Sequence, residues 1–87
     1  MTNGMNFGQA IEALKEGKKV AREGWNGKGL YLFLMKGEDL TAALCEVDDG
    51  VPPCTSSICM KTAQNTFTVG WLASQTDMLS EDWTIVE

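Results

Sequence analysis

The sequence predicts an α+β fold in a single domain, 1–87: a short N-terminal helix packed on an antiparallel β-sheet, with a second short helix after Trp71. Three observations predict it. A capped amphipathic segment opens the chain at residues 6–16. Short apolar runs separated by Gly, Asn and Pro turns follow it. Ser74 and Asp77 are then spaced as a helix N-cap and its capping-box partner, with Asp in place of the usual Glu.

Asn6 has the character of an N-cap, and Gln9 completes a capping box. Phe7, Ala10, Ile11 and Leu14 then recur at i, i+3, i+4 and i+7, one face of a helix over 7–16. Gly17 is the expected stop, Lys15 suits the last turn, and Met1 to Met5 read as a frayed leader. Lys18 to Arg22, with Val20 as its apolar centre, reads as an edge strand. Gly24-Trp25-Asn26-Gly27-Lys28-Gly29 demands a turn with positive φ angles. Its backbone N–H groups can approach a ligand while the indole stacks and the ammonium meets negative charge. An Asn-Gly hairpin whose Trp folds back on the core fits the local pattern equally well. The loop matches neither a P-loop nor a dinucleotide fingerprint.

Leu30 to Met35 is apolar on both alternating faces. Such a strand is either central and covered on both sides, or turns its second face to another subunit. The second is expected, because one short helix covers little sheet. Residues 39–47 have helical spacing but also suit a strand, and 48–53 form a turn or loop. Ile58–Thr62 and Thr66–Trp71 read as a hairpin turning at Ala63-Gln64-Asn65. A helix over roughly 75–79 and a terminal strand from Trp83 to Val86 complete the chain. The start of that helix would direct free N–H groups towards Trp71, an arrangement suited to an aromatic base joined to a phosphate. A buried Trp beside an ordinary capped helix is the competing reading.

At 87 residues the chain is too short for two cores. It buries only roughly 60% of its unfolded surface, so oligomerisation is a natural source of stability. Its 44% hydrophobic content is that of a folded protein. No apolar run approaches the roughly 20 residues of a membrane span, and no secretory pattern opens the chain. A soluble protein that stays where it is made is expected. Cys45, Cys54 and Cys59 form an odd set without a CxxC pair, and the chain has no histidine. Reduced thiols and no metal are expected.

Charge is uneven. Residues 1–36 hold six Lys/Arg against three Glu, or +3; residues 37–87 hold Lys61 against nine acids, or −8; the total is −5. Extended nucleic acid is a poor partner for such a surface. Without His, the usual nucleophilic triads are excluded. Asp77 is explained by capping, and Glu81 and Asp82 by a solvated turn. A non-catalytic binder with no cofactor is the expected class.

Residues Asn6 to Leu14, Gly17 to Gly29, Trp71 to Asp77 and Glu81 to Trp83 together resemble the Thoeris anti-defence 2 family of small phage and bacterial proteins. The resemblance covers about two thirds of the chain and leaves residues 36–56 unmatched. It implies a homotetramer in the cytoplasm of an infected or lysogenic bacterium. It also implies a sponge: a protein that holds a TIR-derived cyclic ADP-ribose isomer without cleaving it, with cyclic dinucleotides of CBASS defence as further ligands of some relatives. Carried over, the ligand contacts are Asn6, Phe7, Trp25, Asn26, Lys28, Trp71, Ser74, Gln75 and Thr76. The acidic C-terminal part leaves a second class open, a phage protein that blocks a host protein by imitating nucleic acid.

Overall fold

Asn6 begins the fold as an N-cap. In the computed structural model, which describes residues 4–25, 29–45, 50 and 52–86, its side chain accepts from the Gln9 N–H at 2.8 Å. Gln9 Oε1 accepts from the Asn6 N–H in return, at 2.9 Å. Helix α1 (Phe7–Lys15) follows, and Gly17 at φ +89° ends it in the left-handed region. Ala10, Ala13 and Leu14 are its buried face.

The remaining elements are β1 (Lys19–Arg22), β2 (Tyr31–Met35), α2 (Gly37–Cys45), β3 (Ser57–Lys61), β4 (Phe67–Val69), α3 (Gln75–Leu79) and β5 (Trp83–Val86). The five strands form an antiparallel sheet in the order β4-β3-β2-β1-β5. β1 is therefore an interior strand, not the edge strand its length indicated. The chain terminus returns to pair along it, with Val20 opposite Ile85 and Arg22 opposite Trp83. Met5 is likewise no frayed leader. It is buried and exchanges two backbone hydrogen bonds with Trp83, at 2.9 and 3.2 Å.

Register divides the sheet into two faces. Val20, Leu32 and Trp83 point to the α1 side and, with Met5, Ala10, Ala13 and Leu14, make the buried core. Leu34, Ile58, Met60 and Ile85 pack around it. Tyr31 and Phe33 point the other way, with Phe67 and Val69 beside them. They line an open groove of about 630 Å³ whose outer residues Phe67 and Val69 remain 65% and 58% exposed. One face of β2 is thus covered by α1 and the other is bare in a single chain.

The hairpin between β3 and β4 turns at 63–65, with Asn65 at φ +64°. Residues 37–45 are helical, which resolves the helix-or-strand ambiguity there. Gly37 explains why that helix docks where it does. A Cβ at this position would collide with the Cys54 carbonyl oxygen. The Gly37 N–H donates to Ser56 Oγ at 3.0 Å, and Thr41 Oγ1 accepts from the Cys54 N–H at 2.7 Å. The expected 48–53 loop lies mostly outside the described residues.

Candidate functional site

The face of the sheet that carries α1 also gathers the three tryptophans. Trp83 sits on β5 opposite Arg22 and is fully buried. Three rings pack on it: Trp25 at 5.4 Å between centroids, Phe7 at 5.6 Å and Trp71 at 6.2 Å. Trp25 and Trp71 also meet edge to face at 6.3 Å, and both are half-buried. Edge-on contact is the preferred geometry for such rings. The Trp25 indole therefore folds back on the core and keeps an exposed portion.

Backbone geometry places each ring. Trp71 follows Gly70, whose φ of +87° turns the chain, and the Ile58 carbonyl accepts from both the Gly70 and Trp71 N–H groups, at 3.1 and 2.8 Å. Trp25 stands at the end of a turn in which its own N–H donates to the Arg22 carbonyl at 3.2 Å. Phe7 is the first residue of α1, delivered by the Met5–Trp83 bridge and the Asn6 cap.

α3 closes the cluster. Ser74 Oγ accepts from the Asp77 N–H at 3.1 Å, and the Asp77 carboxylate accepts from the Ser74 N–H at 3.2 Å. That is the capping box expected from the spacing, and the helix spans 75–79 as predicted. Gln75 and Thr76 lie exposed on its first turn.

Asp77 does more than cap. Its Oδ1 accepts from Arg22 Nη1 at 2.8 Å and, at the long distance of 3.4 Å, from the Trp25 indole N–H. Its backbone carbonyl accepts from the Trp83 indole N–H at 3.0 Å. Asp82 takes the other side of the guanidinium, accepting from Arg22 Nε at 2.9 Å, and also accepts from the Gly24 N–H at 2.9 Å. The Arg22, Asp77 and Asp82 side chains are only 15%, 14% and 31% exposed. Asp82 is therefore not part of a solvated turn. Hydrogen bonding to Asp82 and then Asp77 raises the Arg22 pKa further, against the effect of burial. Burial pushes the Asp77 carboxyl up, but hydrogen bonds from Arg22, Ser74 and Trp25 outweigh it and hold the group below the ordinary carboxylate range. Asp82 is also held low, chiefly by Arg22 and against burial, with help from the Gly24 N–H.

Of the nine residues carried over from the family resemblance, Phe7, Trp25 and Trp71 meet on Trp83. Asn6 and Ser74 are occupied in capping boxes, and Gln75 and Thr76 follow Ser74 on α3. Asn26 and Lys28 lie outside the described residues. Sequence reasoning missed the roles of Arg22, Asp82 and Trp83. A signal for Arg22 was present: it shares strand parity with Val20, so its side chain enters the core face and requires a carboxylate there.

The family model for a Thoeris anti-defense 2-like domain matches residues 5–86. The chain belongs to this family. It is also 44% identical over 90 residues to Thoeris anti-defense 2 of Bacillus phage SP01, an alignment covering 99% of each chain. Membership in the Thoeris anti-defense 2-like family supports an anti-defence role. The matched span runs from the Met5 bridge to the end of β5, so it includes every element that builds the tryptophan cluster. No helix among the described residues is long and apolar enough to cross a membrane.

Proposed function

We propose that this protein inhibits Thoeris defence by sequestering a cyclic nucleotide signal, foremost the TIR-derived glyco-cyclic ADP-ribose, without chemical change to it. The observation that carries the reading is the Trp25–Trp71 pair: two half-buried indoles held at 6.3 Å on a fully buried third, beside the exposed first turn of α3. Indole faces suit an adenine ring, and fixed rings lose little freedom on binding. By the family resemblance, Asn6, Phe7, Asn26, Lys28, Ser74, Gln75 and Thr76 are the further ligand contacts, with Phe7 the aromatic one and the others available for ribose and phosphate.

The chemistry of the site favours holding over cleaving. Its two carboxylates share one guanidinium and are both held ionised, which leaves neither poised as a general acid near neutrality. Among the described residues no three His, Cys, Asp or Glu side chains gather to hold a metal ion.

Self-association belongs to the same proposal. The bare sheet face with Phe67 and Val69 supports a homo-oligomer, a tetramer by the family resemblance, with ligand pockets between protomers. Cyclic dinucleotides are further candidate ligands, and the bacterial cytoplasm is the proposed place of action.

The test is retention and recovery. Purified protein is incubated with glyco-cyclic ADP-ribose, removed by filtration, and heat-denatured to release what it held. Loss of free ligand followed by its intact return is expected, and Trp71→Ala should abolish the loss while remaining folded. Return of an altered product would mean an enzyme, and no loss would exclude this signal as the ligand.

A further inference from the structure

The Trp25–Trp71 site is built from three separated parts of the chain: the turn after β1, the segment after β4, and α3. One residue touches the parts that determine its shape. Asp77 Oδ1 accepts from the Trp25 indole N–H and from Arg22, its carboxylate also receives the Ser74 N–H and hydroxyl, and its backbone carbonyl receives the Trp83 indole N–H. Two of the three indoles are thus oriented from a single position on α3. Arg22 extends the connection, since Asp82 binds the guanidinium and the Gly24 N–H beside Trp25.

We propose that Asp77 is a positioning residue of the ligand site, which sets the Trp25 indole against Trp71 through its Oδ1 and does not itself contact ligand. Its lone-pair sites are taken by Arg22, Trp25 and Ser74, so little acceptor capacity remains for a ligand, and its negative charge would repel a phosphate. The physical effect is preorganisation. An indole with its N–H held has one ring orientation, whereas a released indole must be ordered by the ligand on binding. This inference rests on the sequestration reading for its affinity readout, and on the structure alone for its spectroscopic one.

The test combines glyco-cyclic ADP-ribose binding with NMR of the indole N–H groups in parent, Asp77→Ala, Asp77→Asn and Trp25→Phe proteins. Asp77→Ala is expected to weaken binding about tenfold, the scale of releasing one preorganised group. Asp77→Asn keeps an acceptor oxygen for Trp25 and should restore most of that loss. In the Trp25→Phe background, which has no indole N–H to hold, Asp77→Ala should cost no more than about twofold, the non-additivity of residues acting through one contact. In the parent, the Trp25 indole N–H should exchange slowly with solvent; in Ser74→Ala, which weakens the cap but leaves the carboxylate, its resonance should stay in place.

Equal losses in Asp77→Ala and Asp77→Asn, or full additivity with Trp25→Phe, would overturn the proposal. So would a Trp25 indole N–H in the parent that exchanges as fast as free indole, a result that does not depend on any variant folding. If the parent fails to retain the cyclic ADP-ribose isomer, the sequestration reading falls, and the exchange measurement still decides whether Asp77 holds Trp25.

Discussion

Replacing Arg22 by Ala leaves Asp77 and Asp82 facing each other without their shared cation. Breaking a buried ion pair from one side costs about 3–5 kcal/mol, because the partner charge stays behind unpaired. Here the carboxylates are 14% and 31% exposed, so water relieves part of this, and about 2–4 kcal/mol is the expected loss. An 87-residue domain has roughly 4–13 kcal/mol of total stability. Its unfolding entropy is about 0.18 kcal/mol/K, so a loss of about 3 kcal/mol lowers Tm by about 16 °C. Differential scanning calorimetry from pH 7 to pH 3 provides the assay. The folded pKa values of Asp77 and Asp82 lie below their unfolded ones, so their contribution is complete above the unfolded value and is lost as pH falls through the folded ones. Arg22 is raised, so its contribution is complete throughout this range and adds no slope. The parent should therefore lose stability progressively below about pH 5, where unfolded carboxylates begin to protonate. Without Arg22 the carboxyls lose the largest of the contacts that hold them low, and the gap between the two proteins should narrow on acidification. A Tm within about 3 °C of the parent at pH 7, well under the expected shift, would refute the reasoning, as would a gap that stays constant with pH.

Trp83→Ala removes the fully buried platform under Phe7, Trp25 and Trp71, and should cost about 3–5 kcal/mol in urea denaturation. Gly37→Ala forces α2 away from the Cys54 carbonyl and should cost about 1–3 kcal/mol in the same assay, while leaving the indole resonances in place. Phe67→Glu puts a charge on the bare sheet face; sedimentation velocity should show a smaller species than the parent.

Local elements were legible because local chemistry determines them. The Asn6–Gln9 and Ser74–Asp77 boxes span three residues each, and a left-handed Gly17 ends its helix without reference to anything distant. The same holds for the 63–65 turn and the strand from Trp83 to Val86. The family, too, followed from motifs at both ends of the chain. Strand order did not. A four-residue strand such as β1 has the same composition at an edge as inside, and only the return of β5 along it decides which it is.

The candidate site divides along the same line. Trp25 and Trp71 could be singled out as candidate ligand contacts from their glycine and helix-cap surroundings. That they share Trp83 as a platform depends on pairing across some sixty residues, Arg22 with Trp83, which no local window contains. Asp82 illustrates the difference most directly. In sequence it is an acid in a polar turn, and solvation is its natural fate. In the fold it meets Arg22 and the Gly24 N–H, because the sheet brings the ends of β1 and the start of β5 together. The sequence by itself determined most of the helix, turn and strand segments, the 37–45 helix apart, and which family they belong to. Tertiary structure alone decided which charges are paired and which rings touch, since those contacts are made by register across the sheet rather than by spacing along the chain.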